Sequence, residues 1–308
     1  MKIHSIASYV PSQCIDNISQ AAGFGETEEF IRGKIGPIQL PTKDSVEDTS
    51  DMGVKAVHKL LSKAVLDASA IEALLLVTQN GDETLPHTSA RVHAKLGLPK
   101  TTAVFDVSLG CSGYVYGLQI LKGFMQSSGF KRGVLVTADP YSKIIDRSDR
   151  STTLLFGDAA TATLLSDDGA WSLSMPIMCS DGSGADNIVV KAGKFHMNGR
   201  QVFNFAATEI PKQIKDLLQK EKLSETDIDS YCLHQGSAGI LDTIARRFPA
   251  VKDRFINKLA LTGNTVSSSI PLLLESGMNN VDNKKILISG FGVGLSWASM
   301  IISRKDSE

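Results

Sequence analysis

Four segments in the first half of this chain return in the second half in the same order. Ile71-Glu-Ala-Leu-Leu-Leu-Val is matched by Ile228-Asp-Ser-Tyr-Cys-Leu-His, and Ser108-Leu-Gly-Cys-Ser-Gly by Leu261-Thr-Gly-Asn-Thr-Val. Gly133-Val-Leu-Val-Thr-Ala is matched by Lys285-Ile-Leu-Ile-Ser-Gly, and Thr161-Ala-Thr-Leu-Leu-Ser by Trp297-Ala-Ser-Met-Ile-Ile-Ser. From Ile71 to Ile228, Cys111 to Asn264 and Gly133 to Lys285 the spacings are 157, 153 and 152 residues. Every α/β chain alternates strands and helices, but here the glycine and small-residue positions coincide as well. At 308 residues the chain also exceeds the usual single domain. The repetition predicts a duplicated α/β unit, with residues 1–165 forming one half and 166–308 the other.

Within the first half, Ala103-Val-Phe-Asp-Val-Ser reads as a short buried strand and Tyr114 to Met125 as a buried helix. Cys111 falls on the turn between them. A thiol at the positive end of a helix dipole is expected to ionise more easily, and Gly110 and Gly113 leave room for a second group to approach the sulfur. The plain alternative is a small core residue, since free cysteine is among the most buried types. Other segments follow the same grammar. Lys2 to Val10 predicts a first strand, Ile18 to Gly33 a polar helix, and Asp48-Thr-Ser-Asp-Met a helix start capped by Ser50 or Asp51. If the halves pack about a pseudo-twofold axis, the turns bearing Cys111 and Asn264 face one pocket, and His234 joins them from the end of a strand. That set is a nucleophile with two neutral hydrogen-bonding groups.

A formal net charge of −1 gives no global attraction to nucleic acid or an anionic membrane. Cys14, Cys111, Cys179 and Cys232 contain no C-x-x-C pair, and no second pair supports Cys232 and His234 as metal ligands, so no metal is expected. Disulfides are not expected, and a reducing cytoplasm is the default location. No apolar run reaches the length of a membrane span, and Met1-Lys-Ile-His-Ser-Ile lacks a signal peptide's apolar region.

Cys111 in Gly-Cys-Ser-Gly, His234 in His-Gln-Gly, Asn264 in Gly-Asn-Thr-Val-Ser-Ser-Ser-Ile-Pro, and Gly290-Phe-Gly-Val-Gly-Leu-Ser-Trp297 resemble the β-ketoacyl-ACP synthase III group of the thiolase superfamily. Phe156-Gly-Asp-Ala-Ala and Asn198-Gly-Arg-Gln-Val-Phe add to the likeness, which runs from the first strand to the C-terminus. The resemblance implies a five-layered α-β-α-β-α thiolase-like fold and, as in the family, a homodimer. It implies an acyltransferase in which Cys111 forms an acyl-enzyme from an acyl-CoA and condenses it with a malonyl-type thioester, with loss of CO2. Backbone N–H groups of Cys111 and Val293 would form the oxyanion hole, and neutral His234 and Asn264 would donate to the malonyl thioester oxygen. No cofactor beyond the thioester substrates is implied.

The chain departs from the family pattern around the substrate. Phe30 stands where a tryptophan stacks on the CoA adenine, Lys34 where an arginine is usual, and Arg150 matches the second adenine-side arginine. Gly239 and Asn204 occupy the places of two basic residues that receive the acyl carrier protein, and Leu85 that of the phenylalanine that crosses the dimer to close the partner's acyl pocket. Arg246, Arg247, Lys252 and Arg254 are the substitute basic cluster, or simply a solvated face. These departures point away from housekeeping fatty-acid initiation and toward a pathway-specific enzyme. Two further readings stay open: acyl transfer to an alcohol or amine with His234 as general base, and a non-catalytic subunit of a heterodimer.

Overall fold

A computed structural model describes residues 1–304. In the first half, β1 (Lys2–Tyr9), β2 (Ala73–Val77), β3 (Ala103–Val107), β4 (Arg132–Ala138) and β5 (Ala160–Ser166) lie in the spatial order β3-β2-β4-β5-β1. β2 is parallel to β3 and β4, whereas β5 is antiparallel to β4 and β1. The second half contributes β6 (Trp171–Leu173), β7 (Ile177–Ser180) and a separate hairpin of β8 (Ile188–Lys191) and β9 (Lys194–Met197). It continues with β10 (Ser230–Leu233), β11 (Lys285–Gly292) and β12 (Ser296–Arg304).

The second set of strands repeats the first. β10 is parallel to β11, β11 is antiparallel to β12, and β12 is antiparallel to β6 and β7. Phe255 bridges Tyr231 in parallel, in the place that β3 takes beside β2. The two sets meet edge to edge through Ile3 of β1 and Trp171 of β6.

Helices α1 (Thr49–Ala64), α2 (Thr88–Leu96), α3 (Gly113–Ser128), α4 (Gly199–Glu221), α5 (Ala238–Ala245) and α6 (Ser269–Gly277) supply the other layers. Strand β2 shows why. All five of its residues are buried, with Leu74 and Leu76 packing on Met52, Val57 and Leu60 of α1 while Leu75 and Val77 join Tyr114, Leu118 and Leu121 of α3. Such a strand is apolar throughout because helices cover both faces. Ile270, Leu273 and Leu274 of α6 share the inner layer with Ile286 and Ile288 of β11. Ile210, Ile214 and Leu217 of α4 cover Leu287 and Ile301 from outside with Ile244 of α5. The result is the five-layered α-β-α-β-α arrangement, with α3 and α6 in the central layer.

Two local expectations change. The polar segment around Ile18 is three short helical pieces, Asn17–Ala22, Glu28–Phe30 and the π-helical turn Ile31–Ile35, with a break at Gly23-Phe-Gly. Helix α1 is capped by Asp48 rather than Ser50 or Asp51: the Asp48 carboxylate accepts from the Thr49 N–H at 2.7 Å, and Asp51 reaches back to the Asp48 N–H at 3.0 Å. Asp51 therefore completes a capping box.

Leu118 is fully enclosed between the two sets of strands. Leu118→Ala is expected to destabilise the fold by about 2–5 kcal/mol, because the enclosed cavity cannot collapse. Urea denaturation of the two proteins measures it.

Candidate active site

The central helices bring their N-terminal ends together. Cys111 lies on the turn entering α3, where the Gly113 N–H closes on the Gly110 carbonyl at 2.8 Å. Gly113 lets that turn press on the sheet: a Cβ there would meet Val77 Cγ1 at 2.4 Å. Opposite the sulfur stands Gly292 at the end of β11, where a Cβ would come within 2.9 Å of Cys111 Sγ. Only glycine leaves space for a reacting group at that point.

His234 leaves the end of β10, held by its N–H to the Ser289 carbonyl at 2.8 Å, and its ring meets Phe291 edge-on. Asn264 precedes α6 and is tied to the first half of the chain: its N–H donates to the Leu155 carbonyl at 2.9 Å, and its carbonyl accepts from Gly157 N–H at 3.1 Å. Its side-chain Oδ1 accepts from the Val266 N–H at 2.9 Å, which leaves the NH2 end free for a ligand. Cys111, His234 and Asn264 are all buried, and all line one cavity together with Val293.

The electrostatics overturn one expectation. Burial pushes the Cys111 thiol up to about 12, and the neighbouring Asp139 adds to the rise. The N–H groups of Cys111 and Val293, both hydrogen-bonded to the sulfur, pull the other way without winning. The position at the head of a helix is as expected; the desolvation of a thiolate there was not visible in the sequence. Asp139 is itself fully buried and is pushed up to about 7 by burial, against the Gln79 N–H at 2.7 Å and the Ser267 hydroxyl at 2.8 Å. At rest Cys111 is thus a thiol, and ionising it calls for a base.

Burial holds His234 at about 3, against a small upward pull from the Val266 carbonyl, so the ring is neutral at ordinary pH. Its folded value lies below the unfolded one near 6.5. The linked stability is therefore present above about pH 6.5 and is lost as pH falls toward 3. In a urea series, His234→Gln is expected to flatten this part of the acid limb.

Most of the rest of the cavity wall is apolar. Tyr141, Phe156 and Phe195 form an aromatic group with ring centroids 4.8 to 5.3 Å apart, and Leu155, Ile188, Met197 and Val202 complete that side. Phe195 and Met197 come from the β8–β9 hairpin, which the motif reading missed. Its signal was present: two β-rich runs around Ala192-Gly193, both of which adopt positive φ as a two-residue hairpin turn requires.

Comparison with known proteins shows which family carries this fold and cavity. Residues 105–182 match the family model for 3-oxoacyl-[acyl-carrier-protein] synthase III, and residues 218–304 match that for its C-terminal part. The chain is 33% identical over 322 residues to the β-ketoacyl-[acyl-carrier-protein] synthase III of Lactococcus lactis subsp. cremoris MG1363, covering 98% of each chain. It is 34% identical over 319 residues to the corresponding enzyme of Streptococcus agalactiae NEM316, again covering 98% of each. This chain belongs to the 3-oxoacyl-[acyl-carrier-protein] synthase III family. Among solved structures, that of the synthase III from Pseudomonas aeruginosa PAO1 superposes with a TM-score of 0.90 at 29% identity, covering all of this chain and 99% of the other. The Thermus thermophilus enzyme gives 0.92 at 26% identity with full coverage of both.

As a synthase III, the chain places the remaining predicted residues unevenly. Phe30 and Arg150 line the cavity, with the Arg150 guanidinium 5.7 Å from the Phe30 ring centre and paired to Glu26. Lys34 stays outside the lining, its carbonyl packed toward Gly239 on α5. Leu85 is 82% exposed and does not touch this chain's own cavity. Asn204 and Gly239 offer no charge, and among the cluster proposed to replace them Arg246 and Lys252 are engaged by Asp242. No group of three or more potential metal ligands occurs among the described residues, and no helix there is long and apolar enough to cross a membrane.

Proposed function

We propose that this synthase III family member is a decarboxylating condensing enzyme in which Cys111 carries the acyl group. The observation that carries the reading is the convergence of Cys111, His234, Asn264 and the Val293 N–H on one apolar cavity. The sulfur attacks the acyl thioester carbonyl, and the N–H groups of Cys111 and Val293 receive the oxyanion as the tetrahedral intermediate forms. A malonyl thioester then enters. Asn264 and His234 hold its thioester oxygen while CO2 leaves, and the enolate carbon attacks the acyl group on Cys111.

The apolar wall of Tyr141, Phe156 and Phe195 suits an acyl chain, and Phe30 with Arg150 at the rim suits the adenine of CoA. A carrier protein would be the second donor. The named relatives are condensing enzymes of acyl-carrier-protein chemistry, which disfavours both transfer to an alcohol or amine and a silent partner subunit. The altered rim residues support a dedicated pathway. A homodimer is supported by β3, an edge strand partly exposed along its length, and by Leu85, which stands exposed where it could enter a second copy.

Intact-protein mass after incubation with a panel of acyl-CoAs, followed by malonyl-CoA or malonyl-carrier protein, tests the reading. The expected outcome is an acyl adduct that is discharged with CO2 release and a carbon–carbon bonded product. An adduct untouched by malonyl donors but discharged by an alcohol or amine would overturn it.

A further inference from the structure

Ser269, at the start of α6, lies beneath the ring of His234. Its Oγ is 2.8 Å from His234 Nδ1 and 2.9 Å from the Val266 carbonyl, and the Gln235 N–H reaches it at 3.5 Å. A hydroxyl has one proton and two lone pairs. With the proton on the Val266 carbonyl, the lone pairs accept the Gln235 N–H and an N–H at His234 Nδ1, and every group is satisfied. The Val266 carbonyl also favours a proton on the ring, and a carbonyl can only accept. Ser269 Oγ, 2.8 Å from Nδ1 with its own proton committed to the Val266 carbonyl, therefore calls for a proton on Nδ1, and the ring's other nitrogen, Nε2, keeps its lone pair.

The same peptide unit holds Asn264, through the Val266 N–H on Oδ1. Val266 does this at φ +52°, a left-handed conformation that a β-branched residue adopts only at an energetic cost. Strain of this kind persists where the surroundings enforce it. Here it lets one residue orient an amide with its N–H and, through the Ser269 hydroxyl held on its carbonyl, an imidazole.

We propose that Ser269 and the Val266 turn are positioning residues that set His234 as the base drawing the proton from Cys111 when the acyl thioester is attacked. This rests on the acyl-enzyme reading of Cys111. In that step the sulfur bonds to the acyl carbon, the carbon–sulfur bond to the carrier thiol breaks, and the Sγ proton moves to Nε2. The departing thiolate takes that proton from Nε2, so the ring returns to its neutral form with Nδ1 protonated. When the malonyl carboxylate enters, its negative charge beside the ring draws a proton from water onto Nε2. The ring then has N–H groups on both nitrogens, with Ser269 Oγ accepting from Nδ1–H. The Nε2–H stands beside the Asn264 NH2 while the carboxylate leaves as CO2 and its electron pair becomes the enolate. As the enolate carbon takes the acyl group, the carbon–sulfur bond at Cys111 breaks, and the released thiolate recovers the proton from Nε2.

Two measurements test this. In the free enzyme labelled with 15N-histidine, with the His234 signals assigned by their loss in His234→Gln, Nδ1 is expected to be protonated and Nε2 bare. In single-turnover acylation followed by rapid-quench mass spectrometry, Ser269→Ala is expected to slow transfer to Cys111 about 10- to 100-fold, within the range of a base held out of place. Half-saturation by acyl-CoA should move less than about twofold, and Ser269→Thr, which restores the hydroxyl, should recover most of the rate. A protonated Nε2 in the free enzyme, or an unchanged acylation rate in Ser269→Ala, would overturn the inference. So would a loss in Ser269→Thr equal to that in Ser269→Ala. Absence of any adduct on the parent protein would instead sink the acyl-enzyme reading itself.

Discussion

Cys111→Ala is expected to take up no acyl mass from any acyl-CoA and to lose condensing activity by at least about 10³-fold, since the variant lacks the proposed carrier of the acyl chain. Of the other cysteines, Cys232 lies within the strand β10, and Cys14 and Cys179 lie outside the cavity lining. The fold should survive, because removing one thiol from a small buried position costs about 1 kcal/mol. Cys111→Ser is the sharper version. A serine hydroxyl is far harder to ionise than a thiol, and this site already pushes the thiol up to about 12 through burial and Asp139. Serine is therefore expected to remain unacylated under conditions that saturate the parent protein. Parallel intact-mass traces of the three proteins, with thermal melts to establish folding, measure it. Acyl mass on Cys111→Ala would place the nucleophile elsewhere.

The duplicated halves were legible because the central elements carry the burial requirement in their composition. Ala73 to Val77 and Ile286 to Ile288 are apolar without alternation, which only a strand covered on both faces needs. The turns before α3 and α6 showed in the small residues around Cys111 and Asn264. Motif order then placed Cys111, His234, Asn264 and Val293 around one cavity, as the structure does. What stayed hidden depends on side chains that meet only after folding. Asp139 follows β4 immediately and looks like a turn residue; its influence on Cys111 exists because β2, β4 and the Ser267 segment converge there. Ser269 was one serine in a run of three. Its task follows from its distance to His234, which belongs to the packing of β10 against α6 and not to any local pattern.

The same distinction explains why the rim is less legible than the centre. At the centre, each residue is constrained by several close neighbours, as the meeting of Gly292 and Cys111 shows. At the rim, Arg150 answers to Glu26 and to the face of Phe30, both partly solvated. Aligned position therefore identifies the residue without fixing what it faces. Leu85 is the extreme case, since the surface that would cover it belongs to no element of its own chain.

Asn264→Ala is expected to reduce condensation about 10²- to 10³-fold, the effect of losing one donor to a developing oxyanion, equivalent to roughly 3–4 kcal/mol. Acylation of Cys111 should change far less, because in the proposed mechanism the oxyanion of that step faces the N–H groups of Cys111 and Val293. The asymmetry follows from how Asn264 is held. Its Oδ1 is committed to the Val266 N–H at 2.9 Å, so what the pocket receives is the NH2 end alone. Asn264→Asp separates position from donation. An aspartate keeps an oxygen for Val266 but presents a second oxygen where the enolate gathers negative charge. Its condensation rate should therefore fall at least as far as that of the alanine variant, although it retains the native hydrogen bond. Rates of CO2 release from a malonyl thioester by pre-acylated enzyme, set beside acyl uptake by mass for each variant, give the two half-reactions separately. Equal losses in both would mean that Asn264 shapes the cavity as a whole rather than donating to the enolate, and the aspartate variant would then be the more active of the two.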